Sequence, residues 1–532
     1  MKRADKLFNF RPVFFAAVFV CVGIVCAYLS MEYQDALIWF LSALALSFVA
    51  LLCFSRDREE LCRRIVVGIL LLFCFSLGYG RFSLQTQAFD DQPVYSGDYA
   101  VAGTVENVRG GDEWIRVSLR DVRIDGGKVD YKLDAYLPTS FYDEIRLCDE
   151  VFLTGRLETR ELFEDGKFNS HYVAEEIRYT IFAKNCEITG SSFDLFLFLR
   201  ARIQTAVEAG MSDSAAAVTM AVLTGDTSTM DESLLENVRQ GGIAHIFAVS
   251  GLHIGSLYAF CFKLLQKTRL KKLPGGVKFG LIALVLIMYG GICGFSDSVV
   301  RAIVMCLAFY ASKCIGLKGD MLESIGLAAF ILLAYSPASL LLVGFQLSFA
   351  ACLGIALLSP PMQRALEVKP AVTDDGDTLP LNLKQRILRS AISFLSVTLA
   401  AQIATAPILY KAYDYLSGWS LLLNCIFIPM LSAVFSALLL FVFVASLLSS
   451  AVAAIVLYVP SVLWETVLLV FETMDFSTLS LRGLRLPTVL IIDYYAAVVF
   501  ASDKWNVSKK QRLALLSITV TVFVGTMVAL NV

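Results

Sequence analysis

The sequence predicts a polytopic α-helical membrane protein with one small β domain inserted outside the bilayer. Three observations carry that expectation. Of the 532 residues, 57% are hydrophobic and 17% charged, where a soluble globular protein carries about a quarter charged. Several apolar runs reach the roughly 17–25 residues that a membrane crossing needs. Between residues 90 and 190 the hydropathy collapses, and apolar and polar residues alternate instead.

Residues 1–80 read as three spans, near 12–30, 36–54 and 64–80. Lys2, Arg3, Lys6 and Arg11 give the first the look of a signal peptide. It is longer than a typical signal core and a second span follows at once, so it reads as a retained helix. The first link holds Glu32 and Asp35 and no basic residue, whereas the next holds Arg56, Arg58, Arg63 and Arg64. The positive-inside rule then puts the N-terminus in the cytoplasm and the chain after Gly80 outside.

From 90 to 190, Tyr99–Val108, Trp114–Arg123, Tyr131–Leu137 and Glu150–Glu158 alternate as half-buried strands, and Tyr179–Ala183 reads as another. Asp125-Gly126-Gly127 is a hairpin turn signal. Five or so short strands predict a small barrel or sandwich, with an OB-like barrel as one form. Such barrels often bind single strands, but from 90 to 187 there are 12 Lys plus Arg against 21 Asp plus Glu. Arg116, Arg120, Arg123 and Lys128 form the one basic cluster. Cys148 and Cys186 are the domain's two cysteines, and an oxidising compartment predicts a disulfide between them. The remaining cysteines lie mostly in apolar runs, where they act as small hydrophobes.

Residues 194–240 read as amphipathic helices at the outer membrane surface. The rest, 241–532, holds ten more spans, near 243–265, 277–294, 298–316, 321–336, 338–358, 390–411, 417–447, 450–472, 487–502 and 513–530. The basic links at 266–273, 359–389 and 503–512 all fall inside if thirteen spans alternate. The net charge of −2 excludes a globally basic nucleic-acid binder.

The densest polar cluster among the spans is Gly241–Gly255, with His245, Ser250, Gly251 and His253. Ionisable groups in a span are expensive and face a cavity or a partner. Small residues equally let helices pack closely, and both readings stay open. Catalytic and metal assignments fail. Ile246 follows His245 where H-E-x-x-H needs Glu. The two histidines would stand about 80° apart on one ideal helix. Ala248 replaces the first glycine of a G-x-S-x-G elbow. No cofactor is expected. Asp297 and Arg301, four apart, are either a local ion pair or a pore-mouth charge. Gln346, Gln402, Lys411 and Asn424 stand in apolar surroundings, and together they predict a hydrated interior path. Asn424 precedes Pro429, where a helix kink is expected. Leu223–Asp226 reads as a helix end with its capping turn.

These segments together resemble the ComEC family, the membrane channels of natural DNA uptake. Residues 241–255 are similar to that family's signature, and Leu223–Asp226 to its LxxGD element, one residue short. Ser296–Met305 resembles its arginine-containing span start, Gly344–Phe349 its GFQLSF-like helix, and Asn424–Pro429 its Asn-and-Ile-Pro element. Gly166–Tyr172 resembles the close of its extracytoplasmic OB-like domain. The resemblance implies a channel passing one DNA strand across the bacterial cytoplasmic (inner) membrane, along His245, Ser250, Gly251, His253, Arg301, Gln346 and Asn424. It implies single-stranded DNA and the lipid bilayer as partners, with a separate DNA receptor, nuclease and cytoplasmic ATPase or helicase. Oligomeric state stays open, a homo-oligomer included. Many members end in a metallo-β-lactamase-like domain with an HxHxDH motif. No histidine follows His253 and no phosphate loop is present, so the expectation is the channel form without nuclease or motor. A transporter or flippase of the same fold for another substrate is the alternative.

Overall fold

The computed structural model describes residues 11–32, 58–110, 113–142, 144–247, 249–267, 269–314, 320–366, 382–446, 450–473, 476–483, 486–502 and 509–531. Six helices within these residues are long and apolar enough to cross a membrane: Pro12–Glu32, Ile65–Asp90, Gly275–Ile292, Val343–Ala365, Leu383–Tyr413 and Val452–Leu469. The chain is a multi-pass membrane protein. These six coincide with six of the thirteen expected spans, and the count covers the described residues alone. Some expected spans are short, such as Met321–Tyr335, and 243–265 is broken into two pieces. The expected span at 36–54 lies outside the described residues.

Helix α1 (Pro12–Glu32) lies against α2 (Arg58–Asp90) at a glycine contact. A Cβ on Gly23 would sit 2.2 Å from the Phe75 carbonyl oxygen, and one on Gly78 would sit 2.2 Å from that of Val20. Only glycine permits backbones this close. Contacts along the same helices define the two ends of the bundle. At one end Arg11 pairs with Asp320 at 2.7 Å, and Glu323 accepts from the Phe14 N–H. At the other, Arg81 donates to the carbonyls of Ala334 and Tyr335.

Helix α2 runs into the sheet, built from β1 (Ser96–Arg109), β2 (Trp114–Ile124), β3 (Lys132–Pro138), β4 (Asp149–Thr159) and β5 (Ile177–Ser191). Alternate residues point inward, as the period of two dictates: Ile115, Val117 and Leu119 of β2 are buried between half-exposed neighbours. They pack against Leu133, Leu153 and Ile181. β1 pairs with both β2 and β4, β4 with β5, β5 in parallel with β3, and β3 with β2.

The disulfide between Cys148 and Cys186 is overturned. Both thiols are free. Cys186 stands opposite Leu153, whereas Cys148 precedes Asp149, which stands opposite Ser191. About five strand residues, roughly 15 Å, separate the two along the ladder, well beyond the ~7 Å Cα separation that a bridge tolerates. Burial pushes both thiols up, Cys186 to about 11.

Of the three helices between 194 and 240, one is buried in the bundle and the other two bury a single face each. α3 (Leu195–Gly210) lies on later helices of the bundle, and every residue of α4 (Asp213–Thr224) from Ala215 onward is buried. Part of the polarity that pointed to a surface is used internally. Arg200 of α3 pairs with Asp226 at 2.6 Å.

Candidate functional site

The polar segment follows α5 (Glu232–Gln240). Gly242 takes φ +72°, and a Cβ there would lie 2.7 Å from Ser420 Cβ. One helical turn follows at Ala244–Phe247, then Val249 and Ser250 leave helical geometry before α6 (Gly251–Lys267) begins. The segment is therefore a broken helix. Free backbone groups at membrane depth are tolerated only where protein or a water-filled cavity surrounds them. Here Ser298 donates to the Val249 carbonyl at 2.7 Å, and Gly225 lies against Val249.

Ser250 and His253 form the start of α6. The Ser250 N–H donates to His253 Nδ1 at 2.9 Å, and Ser250 Oγ lies 3.1 Å from the same nitrogen. Ser250 Oγ in turn accepts from the Leu252 N–H. The pattern is that of a capping box with histidine at the third helical position. Because Nδ1 accepts, the neutral ring carries its proton on Nε2. His253 is 1% exposed, its edge faces Phe435 at 4.6 Å, and Nε2 is buried without a partner. His245 stands on the other side of the break and is exposed. The two histidines share no helix.

Arg301 lies on α8 (Asp297–Cys314), the helix whose Ser298 braces the break. It is 2% exposed. Nη2 reaches the Gly344 carbonyl at 3.5 Å, while Nε and Nη1 are buried without acceptors. Its guanidinium lies 5.5 Å from the Phe345 ring and 5.4 Å from that of Phe349. No ion pair with Asp297 forms, although the two stand on one helix; the pairing that the spacing allowed is not made. Gln346 sits beside these groups on α10 (Val343–Ala365) and donates to the Leu340 carbonyl at 3.1 Å. Gly251 approaches α8 as well, at Ala302.

Asn424 belongs to a second group, on α12 (Ser420–Ser446), following α11 (Leu383–Tyr413). Its Nδ2 and Gln402 Nε2 of α11 both donate to Ser420 Oγ, which donates to the Gly242 carbonyl. Asn424 Oδ1 is buried without a donor. α12 continues through Pro429. The structure thus gathers Ser250, Gly251, His253, Arg301 and Gln346 on one side of the segment and Asn424 at its other end, with His245 across the break but within electrostatic reach of His253.

Two features escaped the sequence. Gln85 of α2 donates to the Val173 carbonyl and to Ser336 Oγ, and accepts from the Ala338 N–H. It ties the short helix Ser170–Ala174 under the sheet to the turn that leads into α10. Nothing marks it among the other polar residues of 81–92, Gln87 and Gln92 included. The other is the Arg200–Asp226 pair, whose members lie too far apart in sequence to be matched by spacing. Among the described residues, no three His, Cys, Asp or Glu side chains gather as a metal site.

A family model described as competence protein matches residues 222–506. ComE operon protein 3 of Bacillus subtilis (strain 168) is 25% identical to this chain over 233 residues, 44% of this chain and 27% of that protein. The match therefore spans about a quarter of that relative's length. No solved structure matches the chain.

Proposed function

Since the chain belongs to the competence protein family, we propose that it is a channel passing single-stranded DNA across the cytoplasmic membrane during natural transformation. The observation that carries this reading is the broken helix at Val249–Ser250. It puts a buried, unpartnered His253 Nε2–H next to the helix that carries Arg301, buried with no ion pair and with two donors unused. A bundle that only packed would satisfy such groups. A path for a phosphate-bearing polymer uses them.

The β domain fits the mouth of such a path. Its pairings run in a closed ring of five strands, which we read as an OB-like barrel. Its short helix rests on Gln85 and Ser336, at the bundle end where α10 begins. The positive-inside reading puts that end outside the cell and the Arg11–Asp320 end in the cytoplasm. No residue is assigned acid–base chemistry, and the motor, receptor and nuclease are separate proteins in this reading.

The alternative, a transporter or flippase for a non-DNA substrate, draws on the domain's charges. Of its one basic cluster, Arg116 is held by Asp134 and Arg120 by Asp194. Deleting the gene and following labelled DNA separates the two readings. The channel reading expects surface binding to persist while cytoplasmic arrival and transformants fall by at least a hundredfold. Normal arrival in the deletion strain rejects it.

A further inference from the structure

Arg301 is the site with the least internal explanation. A guanidinium keeps its charge inside a protein, and burying one without a counter-charge is costly unless something compensates it. Here the compensation is weak: one carbonyl at 3.5 Å, two aromatic faces and a through-space attraction to Asp297, which makes no ion pair with it. Those two rings are stacked on each other, with centroids 4.3 Å apart. Phe345 and Phe349 lie one turn apart on α10, immediately after the Gly344 carbonyl that Arg301 touches. A cation with two spare donors thus stands against a pair of π faces.

The complement of that arrangement is an anion joined to an unpaired aromatic ring. We infer that Arg301, Phe345 and Phe349 form a site for one nucleotide unit of a single strand. The inference rests on the DNA-strand reading above and goes further by naming the groups read. A phosphodiester oxygen takes one of the spare donors, Nε–H or Nη1–H, in a charge-assisted bond. The base takes over the aromatic contact that the guanidinium and the neighbouring ring now provide. Stacking of this kind tolerates any base, because every base has a π face. It excludes a paired duplex, whose faces are already covered. In the structure at hand, Arg301 and the rings occupy each other, so this is the resting arrangement of the site.

The test uses the full chain in nanodiscs of zwitterionic lipid. The probes are fluorescent 12-mers, one of deoxythymidine and one with a base-free sugar-phosphate backbone. Wild type is expected to bind the thymidine strand about tenfold more tightly, the value of one stacked base. Equal affinities in wild type overturn the base half of the site without any mutation. The F345L/F349L double variant is expected to erase the preference and keep the affinity for the base-free strand; an unchanged ratio overturns the assignment. R301L is expected to weaken both strands at least tenfold and R301K to recover part of that, and unchanged binding by R301L overturns the phosphate half. If phosphatidylglycerol added to the nanodiscs displaces the base-free strand only when Arg301 is present, a lipid headgroup is the ligand and the inference fails. Failure of the transport reading looks different: the deletion strain then takes up DNA normally.

Discussion

The β domain and the Arg301 region of the helical bundle treat buried charge in opposite ways, whereas elsewhere in the bundle Arg11 pairs with Asp320 and Arg200 with Asp226. In the domain each buried or half-buried charge finds its counterpart. Asp134, 1% exposed, accepts from Arg116 and from Ser118 Oγ. Arg178 reaches Asp90, donates to the carbonyls of Arg160 and Asp90, and lies over the Phe89 ring. Arg120 meets Asp194, which also caps α3. The Nε atoms of Arg120 and Arg178 are without acceptors, but each guanidinium has its carboxylate. In the bundle, Arg301 has none, and His253 Nε2 and Asn424 Oδ1 are buried alone. Saturated polar groups hold a structure together, whereas unsaturated ones cost stability and persist where function needs them.

That contrast can be broken directly. Asp134→Ala strands Arg116 and Ser118 and is expected to cost about 3 kcal/mol, read as a fall in the unfolding temperature of the purified full chain. Arg301→Leu is expected to do the reverse, leaving stability unchanged or raising it by about 1 kcal/mol, while DNA arrival drops at least tenfold. If Arg301→Leu destabilises the protein as much as Asp134→Ala does, Arg301 is a structural residue and the contrast collapses.

Gly242→Ala sharpens the comparison at the other end of the segment. A side chain at φ +72° is strained, and its Cβ would meet Ser420 Cβ at 2.7 Å. The expected cost is about 1–3 kcal/mol, again read from thermal unfolding. An alanine variant as stable as wild type would mean that the turn at Gly242 is not held by α12.

The smallest effect concerns the cysteines. Peptides mapped without reduction are expected to show Cys148 and Cys186 as free thiols. Cys186→Ser is expected to change stability by less than about 1 kcal/mol. A bridged 148–186 peptide would contradict the strand register.

Much of this was readable from residues alone. The strands of the β domain were, because alternation with a period of two is a local signal and its inward set, such as Ile115, Val117 and Leu119, is the core. So were the unusual character of Gly241–Gly255 and the helix end at Leu223–Asp226, where Gly225 adopts the left-handed cap. What spacing could not give is which distant residue comes near, and three positions turn on that: the Cys148–Cys186 pairing, the packing of 194–225 and the surroundings of Arg301. Register carried the thiols apart, Asp226 drew Arg200 inside, and Phe345 and Phe349 took the place beside Arg301.

The sequence by itself determined that the chain lives in a membrane, where its one strand-rich region lies, and which polar residues had no business in apolar runs. Composition and periodicity decide these, and both are properties of neighbours in the chain. Only the tertiary structure decided which of those polar residues are satisfied. Asp134 and Arg301 are both buried charges, but one meets Arg116 across a strand pair and the other meets two phenyl rings and a single carbonyl. Hydrogen bonds and ion pairs act over a few ångströms of space, whatever the distance along the chain. Whether a buried charge is part of the scaffold or is held open for a ligand is therefore settled by packing.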